Sequence, residues 1–515
     1  MNHALRSPFG EWDKLLLSRA GQILIGVVTG AVIGAIVASQ LKIIIILVGA
    51  IVGGMLVSLA LTQPARAFVA LAAIAALIPT YAAPEVGSLL FIPAGALAWA
   101  IAAAMMWRNA IERGVPFRPT AIDVLVAVFF VLMWISLSFS EQAKSQELQN
   151  DLFVWLGPYL ATRLLLAEVK RPVVVIAAAF AAVTVIVAPF ALLETMGVKN
   201  VFSNLKFNNA EAEAFGNEQL RLGEVRAQAS FGHPIALSMW VSVSALLSLA
   251  MAIYARTPKE RWLWVGLAAI GVGVQVMTYS RTGWLIIVFG VFMLALTTAV
   301  RAARKRLSWV IGLAGVAVFA LMLSGNAPSA LQIIPSSGGG GGTAEEAANF
   351  RDSGAYREKL LERALEPGVL GLWGNPFNKV TPAVSSTNSA TDNAYIILAD
   401  TWGLIPTFAL FAVAAGLLTA ITLARRRDAG PLVALPIAAL TSLAGLFFVA
   451  FITNEQVMIW MLIGAASAAS ERTLRRSRGE YGPGEDPEHE QAQALELPPD
   501  PDEEDQRLAA TPVRW

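Results

Sequence analysis

The feature of this sequence that most constrains its fold is a series of long apolar runs. A membrane helix needs roughly 20 mostly apolar residues to cross about 30 Å of hydrocarbon, and about fourteen stretches approach that length. Their expected bounds are 21–39, 42–61, 67–83, 88–107, 121–139, 151–167, 172–193, 232–254, 262–279, 283–300, 308–324, 394–418, 431–450 and 455–470. Only 15% of the 515 residues are charged, and the mean hydropathy is +0.60, so the composition also indicates a protein of the bilayer.

Two places make the number of spans uncertain by one or two. The run 151–167 contains Pro158 and Arg163, and the first two runs are separated only by residues 39–42. The first run has no small-residue cleavage site, so we expect an uncleaved span and not a signal peptide. The predicted fold is all-α, a polytopic membrane protein of about 12–14 transmembrane helices with a large loop on one side.

The basic residues predict the orientation. Lys and Arg accumulate in cytoplasmic loops, and with fourteen spans every basic cluster falls on the side of the N-terminus. These clusters are Arg6, Lys14 and Arg19; Arg108, Arg113 and Arg118; Lys170 and Arg171; Arg256, Lys259 and Arg261; Arg301, Arg304, Lys305 and Arg306; Arg425, Arg426 and Arg427; and Arg472, Arg475 and Arg476. Both termini are therefore predicted to be cytoplasmic, and in a bacterial inner membrane the opposite side is the periplasm.

The spans and loops define the predicted organisation. It comprises a cytoplasmic N-terminal segment (1–20), N-terminal transmembrane helices (21–193), a periplasmic loop (194–231), central transmembrane helices (232–324), a large periplasmic loop (325–393), C-terminal transmembrane helices (394–470) and a disordered acidic cytoplasmic tail (471–515). In the large loop, five consecutive glycines predict a flexible linker. After them, Tyr356, Leu360, Leu361 and Leu365 at helical spacing predict an amphipathic helix that lies against the membrane domain or is merely packed at the surface.

Most enzyme signatures are missing from the chain. There are no cysteines, and the only histidines are His3, His233 and His489. A thiolate site is excluded, and neither a histidine-based zinc site nor a catalytic triad is expected. We predict no metal and no cofactor, and nothing in the charge pattern indicates a nucleic-acid partner.

The remaining chemistry lies at the predicted periplasmic boundary. Arg281 stands between two apolar runs that are together too long for one crossing, so the chain must break near 280–283 and place the guanidinium at that face. Anchoring and an active-site role are both open for Arg281 at this point. Arg226 precedes the next span, with Arg221 as its competitor, and His233 opens that span.

Two carboxylates enter the membrane after the large loop. Asp392 and Asn393 stand before an apolar run, and Asp400 lies seven residues beyond Asn393, close to the same helical face. Paired arginines suit a pyrophosphate, and a nearby carboxylate suits removal of a proton from an attacking hydroxyl. The alternative for Asp392 is that it only caps the following helix.

The order and spacing of short motifs over 220–470 resemble the O-antigen ligase and polysaccharide polymerase family of bacterial inner-membrane glycosyltransferases. The motifs are Arg226 with Phe-Gly-His-Pro at 231–234, Tyr-Ser-Arg-Thr-Gly at 279–283, Arg357, Leu-Trp-Gly-Asn-Pro at 372–376, and Asp-Asn-Ala-Tyr…Trp-Gly-Leu at 392–404. The resemblance implies transfer of a glycan from an undecaprenyl-diphosphate carrier in the periplasm. It also implies a glycan or lipid A–core acceptor, membrane lipids, and chain-length regulators or assembly proteins as partners.

The resemblance assigns roles to particular residues. It implies that Asp392 and Arg281 are catalytic, and that Arg226, Arg357, Asn393, Tyr395, His233 and Asp400 bind substrate. Ligases of this family have His-Asn where this chain has Asp392-Asn393, so a polymerase is expected ahead of a ligase. A lipid-linked glycan flippase and an inactive assembly protein are the other hypotheses, and Arg357 has the alternative of pairing with Glu358 or Glu362 on its own helix.

Overall fold

The computed structural model describes thirteen segments of the chain. They are 41–79, 85–86, 89–90, 92–112, 117–139, 143–204, 220–221, 224–297, 361–366, 368–374, 393–427, 429–448 and 454–480. The chain divides into two compact units, residues 1–58 and 59–515. Within the first unit, the described part is residues 41–58 of one helix, and the account below concerns the second unit.

The described structure is predominantly helical. Its helices are α1 Leu41–Thr62, α2 Pro64–Leu77, α3 Pro93–Trp107, α4 Ala121–Ser136, α5 Ala143–Asp151, α6 Gly157–Glu168, α7 Pro172–Thr195, α8 Pro234–Ile253, α9 Pro258–Met277, α10 Arg281–Thr297, α11 Ala394–Thr401, α12 Leu404–Arg426, α13 Ala434–Gly445 and α14 Asn454–Ser477. Short π or 3-10 turns extend or precede some of them, at Arg108–Glu112, Leu137–Phe139, Leu152–Leu156, Val201–Asn204, Ala229–Phe231, Gly430–Val433 and Leu446–Phe448. In the part of the chain that the structure describes, four helices are long and apolar enough to cross a membrane: Ala121–Phe139, Pro172–Thr195, Pro234–Ile253 and Leu404–Arg426.

The sequence starts these helices in recognisable ways. Five of them (α2, α3, α7, α8 and α9) have proline as their first residue, where the missing N–H would have no helical partner. Helix α4 begins with a capping box, in which Thr120 and Asp123 each accept the other's backbone N–H. These local signals explain why most helix starts lie within a few residues of the predicted spans.

Three details depart from the predicted organisation. The span expected at 394–418 is broken at Trp402 and Gly403 into α11 and α12. Two antiparallel hairpins of two-residue strands occur, β1 Glu85–Val86 with β2 Leu89–Leu90, and β3 Leu220–Arg221 with β4 Glu224–Val225. The predicted spans 21–39 and 308–324 lie outside the described residues.

Part of the predicted amphipathic helix of the large loop is described, and residues 361–365 are helical. Its apolar face is not the one expected, because Leu361 and Leu365 are exposed. The small residue Ala364 is buried instead, in a cluster with Val369 and Ile396. This loop segment therefore packs against α11, but not through its leucines.

Helix α8 lies at the centre of the unit. Nearly all of its side chains are buried, and it packs against α7, α9, α10 and α13. Its Trp240 stacks on Phe180 of α7 with ring centroids 4.2 Å apart. A second core forms where Trp460 of α14 stacks on Phe129 and Trp155.

Contacts between helix termini define two ends of this unit. At one end, which we call the basic end, Arg108 binds Glu168 and the Leu61 carbonyl, Arg472 binds the Lys170 carbonyl, and Arg476 binds the Ala429 carbonyl. At the other, the site end, Ser230 binds the Ala76 carbonyl, Asn454 binds the Ile78 carbonyl and Asn200 binds the Ala229 carbonyl. Residues from three of the predicted cytoplasmic clusters thus meet at one end.

Candidate functional site

The turn before Arg281 is a tight and strained connection at the site end. Helix α9 ends at Met277, and Arg281 is the first residue of α10. Tyr279 has a φ of 48°, in the left-handed region that residues with a side chain seldom adopt. The chain therefore breaks where the sequence predicted, and half-buried Arg281 lies at a helix start.

A buried amide holds this turn in place. The side-chain nitrogen of Gln275 donates to the Ser280 carbonyl oxygen at 2.7 Å, and its oxygen accepts from the Ser242 hydroxyl of α8 at 3.1 Å. Gln275 and Ser242 are fully buried. One side chain thus connects the central helix to the residue that precedes Arg281.

Arg226 lies directly on the same turn. Its Nε donates to the Thr278 carbonyl oxygen at 3.1 Å, and the next backbone N–H, of Ala227, donates to the Met277 carbonyl oxygen at 3.0 Å. The predicted cations Arg226 and Arg281 therefore stand on segments that are hydrogen-bonded to each other. The side chain of the competitor, Arg221, is outside the described structure.

A buried carboxylate fixes the segment that follows Arg226. One oxygen of Glu194, at the end of α7, accepts the backbone N–H groups of Gln228 at 2.7 Å and Ala229 at 3.1 Å. Ala229 has a φ of 45°. In the described parts of the chain, Ala229 and Tyr279 are the two non-glycine residues with a positive φ. Both strained positions thus lie beside the two arginines.

His233 belongs to the same group of residues. It precedes α8 as its N-cap, and Nδ1 accepts the Ile235 N–H at 3.2 Å. Burial, followed by the nearby Arg226 guanidinium, lowers the pKa of His233 to about 3. His233 is therefore neutral at physiological pH, and the cationic character of this site comes from the arginines.

The start of α11 lies on the other side of α13. Asn393 is its N-cap, and its side-chain oxygen accepts from the N–H groups of Tyr395 and Ile396. The capping role considered for Asp392 therefore belongs to Asn393. The Tyr395 hydroxyl donates to the Leu443 carbonyl oxygen at 2.7 Å, and Asp400 is buried.

The C-terminal turn of α13 connects these two groups. A side chain at Gly445 would contact Ile286 and Thr282 of α10 at 3.2 and 3.4 Å, and Leu443 of the same turn binds Tyr395. The structure thus brings Arg226, His233 and Arg281 together and places the Asn393 end of α11 across α13 from them. Asp392 and Arg357 lie outside the described residues, so their assignments stay predictions.

A contact that the sequence did not predict closes the break between α11 and α12. The N–H groups of Leu404 and Ile405 donate to the carbonyl oxygens of Gly371 and Leu372 at 3.0 and 3.1 Å. The Ser136 hydroxyl, at the end of α4, lies 2.7 Å from the Trp373 carbonyl oxygen and 2.9 Å from that of Trp402. The 372–376 motif and the 392–404 motif therefore meet in space.

A second unpredicted group is a buried charge cluster toward the basic end. Arg163 pairs with Asp123 of α4 at 3.2 Å and with Glu471 of α14 at 2.7 Å. The Tyr159 hydroxyl and the Ser467 hydroxyl also donate to Asp123. Charged residues inside apolar runs were the available signal, because Asp123 and Arg163 both fall within predicted spans.

Among the residues that the structure describes, there is no group of three His, Asp or Glu side chains able to hold a metal ion. Comparison with models of known protein families and with curated proteins finds no match. The family resemblance therefore depends on the motifs given above.

Proposed function

We propose that this chain is a glycosyltransferase that moves a glycan from an undecaprenyl-diphosphate carrier to a glycan acceptor, at the site end and on the periplasmic face of a bacterial inner membrane. The acceptor is a second lipid-linked repeat, which makes the protein a polysaccharide polymerase. The observation that carries this proposal is the hydrogen-bonded pairing of the Arg226 segment with the turn that precedes Arg281.

The two arginines account for donor binding and for departure of the leaving group. A guanidinium presents parallel N–H donors that match the oxygens of a diphosphate, and it keeps its charge at any physiological pH. Both side chains are half-buried, so their interaction with an anion is screened less than that of surface residues. His233 is neutral and adds no charge to the pair.

The reaction that we assign to this site is a displacement at the anomeric carbon. The bond from that carbon to the diphosphate oxygen breaks, and a bond to an acceptor hydroxyl oxygen forms. The bonding electrons leave with undecaprenyl diphosphate, whose growing negative charge Arg226 and Arg281 stabilise. The acceptor proton passes to Asp392, the carboxylate that the family resemblance assigns to this step.

The proposed orientation of the protein in the membrane follows from the basic end and the site end. Basic residues favour the cytoplasm, which puts the basic end there and the site end in the periplasm, with both termini cytoplasmic. Donor glycans of this type are presented at the periplasmic face in the family that the motifs resemble. Asp392 in place of the ligase histidine favours a polymerase over a ligase.

The test is the glycan profile of a deletion strain of the source bacterium, with lipopolysaccharide and secreted polysaccharide separated. A polymerase predicts loss of long polymer, with single lipid-linked repeats accumulating in the periplasmic leaflet. Loss of long chains from lipopolysaccharide while lipid-linked polymer accumulates would identify a ligase instead. Repeats confined to the cytoplasmic leaflet would indicate a flippase and contradict the proposal.

Complementation of that strain gives a matched control. Arg281→Lys keeps the charge but loses the guanidinium fork, and we expect it not to restore polymer. Arg256→Lys makes the same change at an exposed arginine in the loop before α9, and we expect it to restore polymer fully.

A further inference from the structure

The buried side chain of Gln275 has no part in the mechanism above, yet it donates a hydrogen bond to the turn before Arg281. We propose that Gln275 is a positioning residue of the site. By fixing the Ser280 carbonyl, it holds the Arg281 guanidinium where that group can bind a diphosphate. This inference deepens the proposed function and rests on it for the identity of the ligand.

The turn requires such a support because its backbone is strained. Tyr279, two residues before Arg281, adopts a left-handed φ of 48°, a conformation that is unfavourable for a residue with a side chain. Such a conformation persists only where surrounding contacts determine it. The 2.7 Å hydrogen bond from Gln275 to the Ser280 carbonyl oxygen lies between the strained residue and the arginine.

Packing fixes Gln275 from the opposite side. Its oxygen and the Ser238 hydroxyl both lie against the α-carbon of Gly283, so closely that a Cβ at this position would overlap them. Its oxygen also accepts from Ser242, one helical turn after Ser238 on α8. Because α8 is buried along nearly its whole length, it provides a rigid reference for the turn.

The chemistry of the amide explains why glutamine suits this position. It donates to one carbonyl and accepts from one hydroxyl at the same time, which neither a carboxylate nor an apolar side chain does. A methionine has a similar length and keeps the packing but makes neither bond. Loss of these two hydrogen bonds should change the structure only locally, because the partners of Gln275 are Ser280 and Ser242.

The experiment uses the full-length protein in lipid nanodiscs and two independent measurements. Hydrogen–deuterium exchange over peptides that cover 276–286 reports the order of the turn, whatever the protein does. Binding of undecaprenyl diphosphate by microscale thermophoresis reports the anion site. The variants are Gln275→Met and, as a matched control, Ser248→Ala, which changes a fully buried hydroxyl of α8 that has no hydrogen-bond partner among the described residues.

We expect Gln275→Met to speed exchange at 278–283 and to weaken binding about 10- to 100-fold, as small misplacements of binding groups do. Ser248→Ala should leave both unchanged. Unchanged exchange in Gln275→Met would overturn the positioning role, whether or not binding changes. If exchange rises but the wild-type protein does not bind undecaprenyl diphosphate, the hold on the turn stands and the proposed function fails.

A third variant separates positioning from a general loss of packing. Gln275→Glu donates to the Ser280 carbonyl only while its carboxyl is protonated. Its binding should therefore weaken as the pH rises, whereas binding by Gln275→Met should be weak at every pH. Binding by Gln275→Glu as strong as that of the wild type at all pH values would contradict the assignment.

Discussion

At the scale of single residues, Arg163 joins three helices through one guanidinium. It pairs with Asp123 of α4 and Glu471 of α14, and its Nη2 donates to the Arg118 carbonyl oxygen at 3.1 Å. Only 1% of its side chain is exposed, and removal of the cation would take the counter-ion from the buried Asp123 carboxylate, whereas Glu471 keeps its pair with Arg475. The loss of one partner of a buried ion pair costs about 3–5 kcal/mol.

We therefore expect Arg163→Met to lower the thermal midpoint of the purified protein in detergent markedly. The matched control is Arg118→Ala, whose pair with Glu480 is exposed and worth about 0–1 kcal/mol. Equal, small shifts in both variants would show that the cluster does not stabilise the helices.

A second residue-scale prediction concerns the carboxylate before α11. Because Asn393 caps that helix, Asp392→Asn should leave stability unchanged while glycan transfer falls about 10²- to 10⁴-fold through loss of a general base. Asn393→Ala should instead cost about 1 kcal/mol of stability through loss of the cap. A thermal unfolding assay and a polymerisation assay on both variants check this. Full activity in Asp392→Asn would remove Asp392 from the mechanism.

At the scale of elements, the break between α11 and α12 depends on a glycine. Gly403 has a φ of 101°, and a Cβ there would overlap the backbone of Leu372, Trp373 and Gly374. The loop segment approaches so closely because its carbonyls take the place of a preceding helical turn for Leu404 and Ile405.

Gly403→Ala is therefore expected to destabilise the protein by about 1–3 kcal/mol through backbone strain, with the overlap adding to that cost. The control is Gly273→Ala in α9, where a Cβ meets nothing within 4 Å. That change should stabilise by about 0.5–1 kcal/mol because alanine favours a helix. The measurement is the thermal midpoint of each variant beside that of the wild type. An unchanged thermal midpoint in Gly403→Ala would contradict the requirement for glycine at the break between α11 and α12.

These elements show what the sequence can and cannot predict. Helix α7 was predicted almost to its ends, because a long apolar run that begins with Pro172 is a local signal. The break at Gly403 was missed because its partner, the segment 371–374, is distant in sequence. The Arg163 cluster was missed for the same reason, since it requires knowing that α4, α6 and α14 meet.

The same difference between local signals and long-range contacts applies to the residues of the site. Arg226 and Arg281 were predicted because charges beside apolar runs stand out in the sequence. Gln275 was not predicted, because nothing in the sequence distinguishes this glutamine, near the end of an apolar run, from a glutamine without a role. Its importance comes from its hydrogen bonds with Ser242 and Ser280.

At the scale of the whole molecule, the two ends of the bundle should lie on opposite sides of the membrane. The chain contains no cysteine, so single cysteines can be introduced without background. Val201→Cys is at an exposed position of the site end, and Lys259→Cys is exposed at the start of α9. On spheroplasts, an impermeant maleimide should label the first variant at once and the second only after lysis. The reverse pattern would contradict the orientation.

The central claim is that the arginine pair at the site end supports glycan transfer from a lipid diphosphate. The most direct test is reconstitution of the full-length protein in liposomes with the undecaprenyl-diphosphate-linked repeat purified from the deletion strain, followed by measurement of polymer length and of released undecaprenyl diphosphate. We predict that the wild type produces both in step and that Arg281→Lys produces neither above about 1% of that rate, while Arg256→Lys is unaffected. Equal activity of wild type and Arg281→Lys, or no release of undecaprenyl diphosphate by the wild type, would contradict the claim.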